Sequence, residues 1–270
     1  MTAVTAGTPL DATNAPAPRL TFPHLLRAEW IKLSTLRSTW WSVGIVAVLS
    51  VAVSAMMASA ANDFGPGYMP IMAIVSPLQF TMLLAGILGA IAITGEYSTG
   101  MIRSTFTAAP RRGAVLVAKA IVTATLMFVV SLVVFLLSVA VTAPILREPV
   151  DWSDPAQSVL PILGGALSMV MFTLIGLSFG FLLRSGAGAI SATIAVMFVL
   201  PIVAASFPYG DPAWQWVRDI AQYLPMNLAQ SLTSVGDEYG LADGPALLGV
   251  AVWIVAGLVA AWGVLRRRDA

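Results

Sequence analysis

Residues Val115 to Ala143 read VLVAKAIVTATLMFVVSLVVFLLSVAVTA, twenty-nine positions whose one charge is Lys119. A bilayer core is crossed by roughly 20 apolar residues in helical form, so this run is long enough to span it with some tilt or a helical extension beyond it. Five more such runs lie outward from it: Trp40 to Ala61, Ile71 to Gly95, Val159 to Leu183, Ala187 to Phe207 and Ala246 to Leu265, none of them carrying a charge. Together the six occupy more than half of the 270 residues, and the chain is 58% hydrophobic and only 10% charged. Its mean hydropathy is +0.87. Globular chains average about 25% charged residues. The fold class is therefore an all-α membrane protein with six transmembrane helices.

Composition removes several chemistries at once. Cysteine is absent, which excludes disulfides, thiolate catalysis and Cys-ligated metals. His24 is the one histidine, and no Gly-Lys dipeptide occurs, so the lysine-bearing loop that cradles nucleotide phosphates is missing. No catalytic, cofactor-binding or metal site is expected in this chain.

Cationic residues in short loops set orientation, because they resist translocation. With the N-terminus inside, Arg19, Arg27, Lys32, Arg37, Arg103, Arg111, Arg112, Lys119, Arg184, Arg266, Arg267 and Arg268 are cytoplasmic, and only Arg147 and Arg218 are outside. Six crossings return the C-terminus to the cytoplasm. Residues 1–20 lack the charged start and apolar core of a secretion signal and read as a disordered cytoplasmic tail. Lys119 stands four residues past Val115, about 6 Å along a helix, and reads as an interfacial anchor whose stem reaches the headgroups.

The connections carry most of the information. Over residues 21–38, apolar positions 22, 25, 26, 30, 33 and 36 repeat at spacings of three and four, with Arg27, Glu29, Lys32 and Arg37 among them. A basic amphipathic helix ahead of a span lies in the cytoplasmic interface, with Trp30 in the acyl boundary. It serves either as an anchor or as a transmitter of motion.

The 96–113 loop holds Glu96, Tyr97, Gly100, Met101, Ile102, Arg103 and Phe106, then Pro110-Arg111-Arg112. Reversing the chain needs fewer residues and no apolar face, so a short partner-docking helix is expected here. The 208–245 outer loop bears Trp214, Trp216, Tyr223 and Leu224, with Pro225 and Asn227 read as the end of a short helix; it reads as an aromatic anchor more than a gate. Gly176 and Gly180 form a Gly-x-x-x-Gly pair suited to close helix packing. Pro77 and Pro201 each interrupt a span and invite a kink.

No ionisable residue stands at mid-membrane, which argues against an ion-coupled carrier, and no span offers a charged ring for a channel. An apolar helical body with cytoplasmic docking features needs an energy source elsewhere.

The stretch Arg27-Ala28-Glu29-Trp30-Ile31-Lys32-Leu33, then Leu36-Arg37-Ser38-Thr39-Trp40-Trp41, together with Gly95-Glu96-Tyr97-Ser98-Thr99-Gly100-Met101-Ile102-Arg103, Pro110-Arg111-Arg112 and Tyr223-Leu224-Pro225, resembles the permease subunits of ATP-binding-cassette (ABC) transporters of the second exporter type. The likeness covers roughly residues 22 to 268, and it departs from relatives in Met101, where a threonine often follows the loop glycine.

The resemblance implies an amphipathic connecting helix at 21–38 and a coupling helix near Glu96 to Phe106, where Glu96, Tyr97, Gly100, Met101, Arg103 and Phe106 engage a separate ABC ATPase. It also implies a second permease copy or a homologous one, surrounding membrane lipids and no nucleic acid. ATP and magnesium would sit in the partner ATPase, and the location would be the bacterial plasma membrane. The expected function is export of a hydrophobic or amphipathic substrate. A non-transporting membrane scaffold is the main alternative, followed by an ion-coupled carrier.

Overall fold

The computed structural model describes residues 21–63, 69–208, 211–235 and 240–267. The expected disordered tail at 1–20 and Arg268 lie outside the described residues. The described chain is helical throughout, and six of its helical stretches are long and apolar enough to cross a membrane: Arg37–Ala61, Pro70–Ser98, Arg112–Thr142, Val159–Leu183, Gly186–Ala205 and Asp243–Arg267. This is a multi-pass membrane protein.

Helix α1 (Phe22–Thr35) precedes the first span α2 (Arg37–Ala61). Pro23 suits the first turn of α1, where no intrahelical N–H partner is lost, and His24 Nδ1 accepts from the Thr21 backbone N–H at 3.5 Å. The second span is divided into α3 (Pro70–Val75) and α4 (Leu78–Ser98), with Pro77 at the break. Gly100, at φ +73°, turns the chain from α4 into the short helix α5 (Met101–Ala108). A left-handed backbone of this kind is cheap only for glycine.

Helix α6 (Arg112–Thr142) is the third span and α7 (Val159–Leu183) the fourth. The fifth runs as α8 (Gly186–Ile194), a π-helical turn at Ala195–Val199, and α9 (Leu200–Ala205). Pro201 has no N–H to give the carbonyl four residues back, and next to it Leu200 N–H reaches five back to Ala195 O.

The 208–245 connection is more than a loop. A 3₁₀ turn at Pro212–Trp214 leads into α10 (Gln215–Ala221), and Pro225 opens a further helix, α11 (Pro225–Thr233), where the sequence reading has it closing one. Proline at the first helical position serves as a start as readily as a stop. Leu228, Ala229 and Leu232 of α11 are buried in the core. The last span is α12 (Asp243–Arg267).

Helix α7 is the axis of the bundle: 78% of its apolar spanning stretch is buried, against 17% for α12 and 22% for α2. It packs on α4, α6, α11 and α12. Glycines set how near these helices come. A Cβ on Gly176 would stand 1.9 Å from Gly86 O, one on Gly89 1.9 Å from Thr173 O, and one on Gly164 2.2 Å from Leu232 O. Gly180 lies against Ile93, where a Cβ would meet Cγ2 at 2.3 Å. Small residues thus let α4 and α11 approach the α7 backbone directly.

Candidate coupling site

At the end of the bundle that carries α1 and α5, four charged side chains from three helices meet. Glu29 and Lys32 come from α1, Glu96 from the last turn of α4, and Lys119 from the second turn of α6. Lys119 Nζ stands 2.5 Å from Glu29 Oε2 and 2.7 Å from Glu96 Oε1. Lys32 Nζ lies 2.8 Å from Glu29 Oε1 and 3.1 Å from Glu96 Oε1, and also donates to Thr105 Oγ1 of α5 at 3.4 Å. The cluster therefore touches every element around the 96–113 segment.

This placement corrects the sequence reading of Lys119. It does not extend toward headgroups: its side chain is 2% exposed, and its ammonium turns inward to two carboxylates. The reason is that α1 packs along α6 and brings Glu29 within reach, while the end of α4 supplies Glu96. The two buried carboxylates compensate the ammonium, whose charge would otherwise be buried unpaired.

Glu29 and Glu96 are likewise buried, at 3% and 4%. Neither is presented outward to a partner. Burial alone disfavours the Lys32 charge, yet the hydrogen bonds and charges of Glu29 and Glu96 outweigh it and hold its pKa above the ordinary 10.5.

The remaining expected residues separate into two faces. Tyr97 is half-buried, with the Arg184 guanidinium 5.4 Å from its ring centre. Phe106 is half-buried under Arg112, 5.5 Å away. Ile102 is buried beneath α5. Gly100 is exposed and forms the turn, Arg103, Ser104 and Thr107 form the outward side of α5, and Met101, though exposed, lines a cavity beside Lys32, Glu96 and Lys119. On α1, Arg27, Trp30 and the following Arg37 are exposed, and Lys32 is partly buried. Gly176 and Gly180 lie far from this cluster in sequence and hold α7 to α4.

The sequence reading missed the cluster as a unit. Glu29 pairs with Lys119 across 90 residues, and the one available signal was a charged residue inside an otherwise apolar run.

Thr105 of α5 is joined through Lys32 and the shared carboxylates to α1, α4 and α6. Among the described residues no group of three His, Asp or Glu side chains is placed to hold a metal.

No curated protein matches the chain. Residues 25–207, about two thirds of its length, match the family model described as ABC-2 family transporter protein. That segment runs from α1 to the end of the fifth span and contains the whole cluster. The chain belongs to the ABC-2 transporter family, as a membrane-embedded transport subunit.

Proposed function

We propose that this chain is the permease subunit of an ABC exporter, powered by a separate ATPase that docks on the outward face of α5. The observation that carries the proposal is the pairing of an exposed face with a buried root: Arg103, Ser104 and Thr107 are exposed, while Thr105 on the same helix bonds into the four-charge cluster. A docking element must be exposed to its partner yet rigidly joined to what it moves.

In this reading α1 and α5 face the cytoplasm, both termini are cytoplasmic, and the protein resides in a bacterial plasma membrane. Two permease copies form the pathway. ATP and magnesium belong to the partner, and nucleotide-driven closure of the ATPase pair displaces α5. The cluster passes that displacement to α1, α4 and α6, switching the pathway for a hydrophobic or amphipathic substrate.

The buried charges do not favour an ion-coupled carrier. Glu96 is two residues from the end of α4 and Lys119 seven from the start of α6, about 10 Å along the helix. An ion path needs ionisable groups near mid-bilayer.

The test is gentle purification of the tagged chain from its native membrane, with identification of any P-loop ATPase by mass spectrometry and by ATP hydrolysis. A stoichiometric ATPase whose association is lost with Arg103→Glu supports the proposal. A chain isolated alone, under conditions that preserve other membrane complexes, moves the assignment to a scaffold or an autonomous carrier.

A further inference from the structure

Apart from the charge cluster, the first turn of α6 and the last turn of α12 enclose a pocket of about 370 Å³, within the range of about 300–1,000 Å³ that small-molecule sites occupy. Arg111 and Arg112 line it from the start of α6, and Trp262, Leu265 and Arg266 from the end of α12. Both helices are spans and the pocket lies at their ends, so it sits where the bilayer core gives way to headgroups.

Its walls are held in place. Arg112 Nη1 donates to Leu265 O at 3.0 Å, joining the two helix ends, and its guanidinium covers the Phe106 ring. The Arg266 guanidinium lies 3.6 Å from the centre of the Trp262 ring. Helix α6 admits that indole because Gly113 has no Cβ; one there would stand 3.0 Å from Trp262 Nε1. Arg111 and Arg266 are exposed, and among the described residues neither has a carboxylate partner.

The lining selects its occupant. Its polar side-chain groups are three guanidiniums and one indole N–H, all of them donors, and every charge is positive. The carbonyls of Pro110 and Leu265 already accept from Arg112. A cationic head would meet like charge, and a neutral polyol would find no side-chain acceptor for its hydroxyl protons. An oxyanion with several acceptor oxygens fits, because guanidinium pairs with phosphate through parallel N–H bonds.

The surroundings indicate what carries that anion. One and two turns inward from Trp262, on the same face of α12, stand Val259 and Val255, and at the same spacing inward from Gly113 on α6 stand Val117 and Ile121; all four are exposed. Apolar surface thus leads from both walls of the pocket toward the bilayer core. A soluble anion or an acidic protein in water makes no use of it, whereas acyl chains do. Tryptophan at headgroup depth and a basic pocket between spans are a recurring setting for anionic lipid heads.

We propose that this pocket binds the headgroup of an anionic glycerophospholipid, its phosphodiester held by Arg111 and Arg266 and its acyl chains lying along Val117 and Val259. The inference rests on the fold and stands apart from the permease assignment.

The test is native mass spectrometry of the delipidated full chain, titrated with phosphatidylglycerol or phosphatidylethanolamine of identical acyl chains. One saturable phosphatidylglycerol per chain is expected, bound about tenfold or more tightly than phosphatidylethanolamine. Arg111→Gln combined with Arg266→Gln should remove about tenfold or more of that affinity while thermal unfolding stays within a few degrees. If that chain does not fold, Arg111→Gln alone serves, since the Arg111 side chain is exposed and makes no ion pair in the fold. Arg27→Gln combined with Arg37→Gln strips two exposed cations from α1 and the start of α2 and should leave binding unchanged. The proposal is overturned by equal losses in the two double variants, which means a diffuse attraction, or by equal affinity for water-soluble glycerophosphoglycerol, which means a site for free anions. Binding that appears only with Asp269→Asn would make Asp269 the occupant. No preference for phosphatidylglycerol likewise overturns it, and loss of a co-purifying protein from the Arg111→Gln, Arg266→Gln chain would then make the pocket a protein contact.

Discussion

Lys119 Nζ and Glu29 Oε2 stand 2.5 Å apart and tie the helix ahead of the first span to the third span across 90 residues of sequence. Both groups are almost fully buried. Taking one partner from such a pair leaves an uncompensated charge, a loss of about 3–5 kcal/mol. Lys119→Met strands two carboxylates with only Lys32 to balance them, and its stability in detergent should fall by about that amount. Adding Glu29→Leu restores neutrality through the remaining Lys32–Glu96 pair, so the double variant should be more stable than Lys119→Met alone. Denaturant titration of the four-member cycle gives the coupling; strictly additive single effects would mean that the pair does not act as a unit.

The two charges of the 96–113 segment should behave oppositely. Glu96 is buried among cations, whereas Arg103 is exposed on α5. Glu96→Ala should lower thermal stability and membrane yield before any question of coupling arises. Arg103→Ala should leave both unchanged and weaken binding of the ATPase and its stimulation. Equal stability losses in the two variants would place Arg103 in the fold and end its docking role.

How far the sequence carries the reader depends on how local the cause is. The fourth span is legible because twenty-five uncharged, mostly apolar residues need no partner to be recognised. Its position at the centre of the bundle is a different matter, since every span is apolar and only the small residues Gly164, Gly176 and Gly180 hint at which one admits neighbours. Lys119 is misread because its carboxylates arrive from two other helices, and a side chain near a helix end reads as an anchor when its partners are invisible. Helix α11 is missed because Pro225 carries two meanings, although Leu228, Ala229 and Leu232 already trace one helical face.

Close backbone approach gives a sharper prediction than composition. A methyl group on Gly176 would collide with the Gly86 carbonyl, which cannot rotate away. Gly176→Ala must separate α4 from α7 and should cost about 1–3 kcal/mol or more, as overpacked cores do. Gly44 has nothing within 4 Å of the same methyl, so Gly44→Ala should be neutral or gain up to about 1 kcal/mol from helix propensity. Parallel thermal unfolding of the two variants decides it: similar losses would mean that the helices do not touch through Gly176.

The pH response of the α1 attachment follows from Lys32. Its pKa in the folded chain is raised above 10.5, so the folded state holds this proton more tightly than the unfolded one. Its contribution is complete below the unfolded value and is lost as pH climbs through the folded one. The stability difference between wild type and Lys32→Met should therefore be flat from about pH 6 to about pH 9 and shrink only in stronger alkali. A difference that falls away between about pH 7 and about pH 9 would show that the carboxylates do not hold Lys32 in this way.

Orientation is testable without altering the background, because the chain has no cysteine of its own. Ser104 is exposed on α5, and Ser153 is exposed in the connection between α6 and α7. An odd number of crossings separates them, so they lie on opposite sides of the membrane in any six-span arrangement. Twelve of the fourteen lysines and arginines fall on the Ser104 side, and cations of short loops stay in the cytoplasm. On intact cells a membrane-impermeant maleimide should label Ser153→Cys and spare Ser104→Cys until the cells are permeabilised. The inverse pattern would put α5 outside the cell, beyond the reach of any cytoplasmic ATPase, and the proposed coupling route would fail with it.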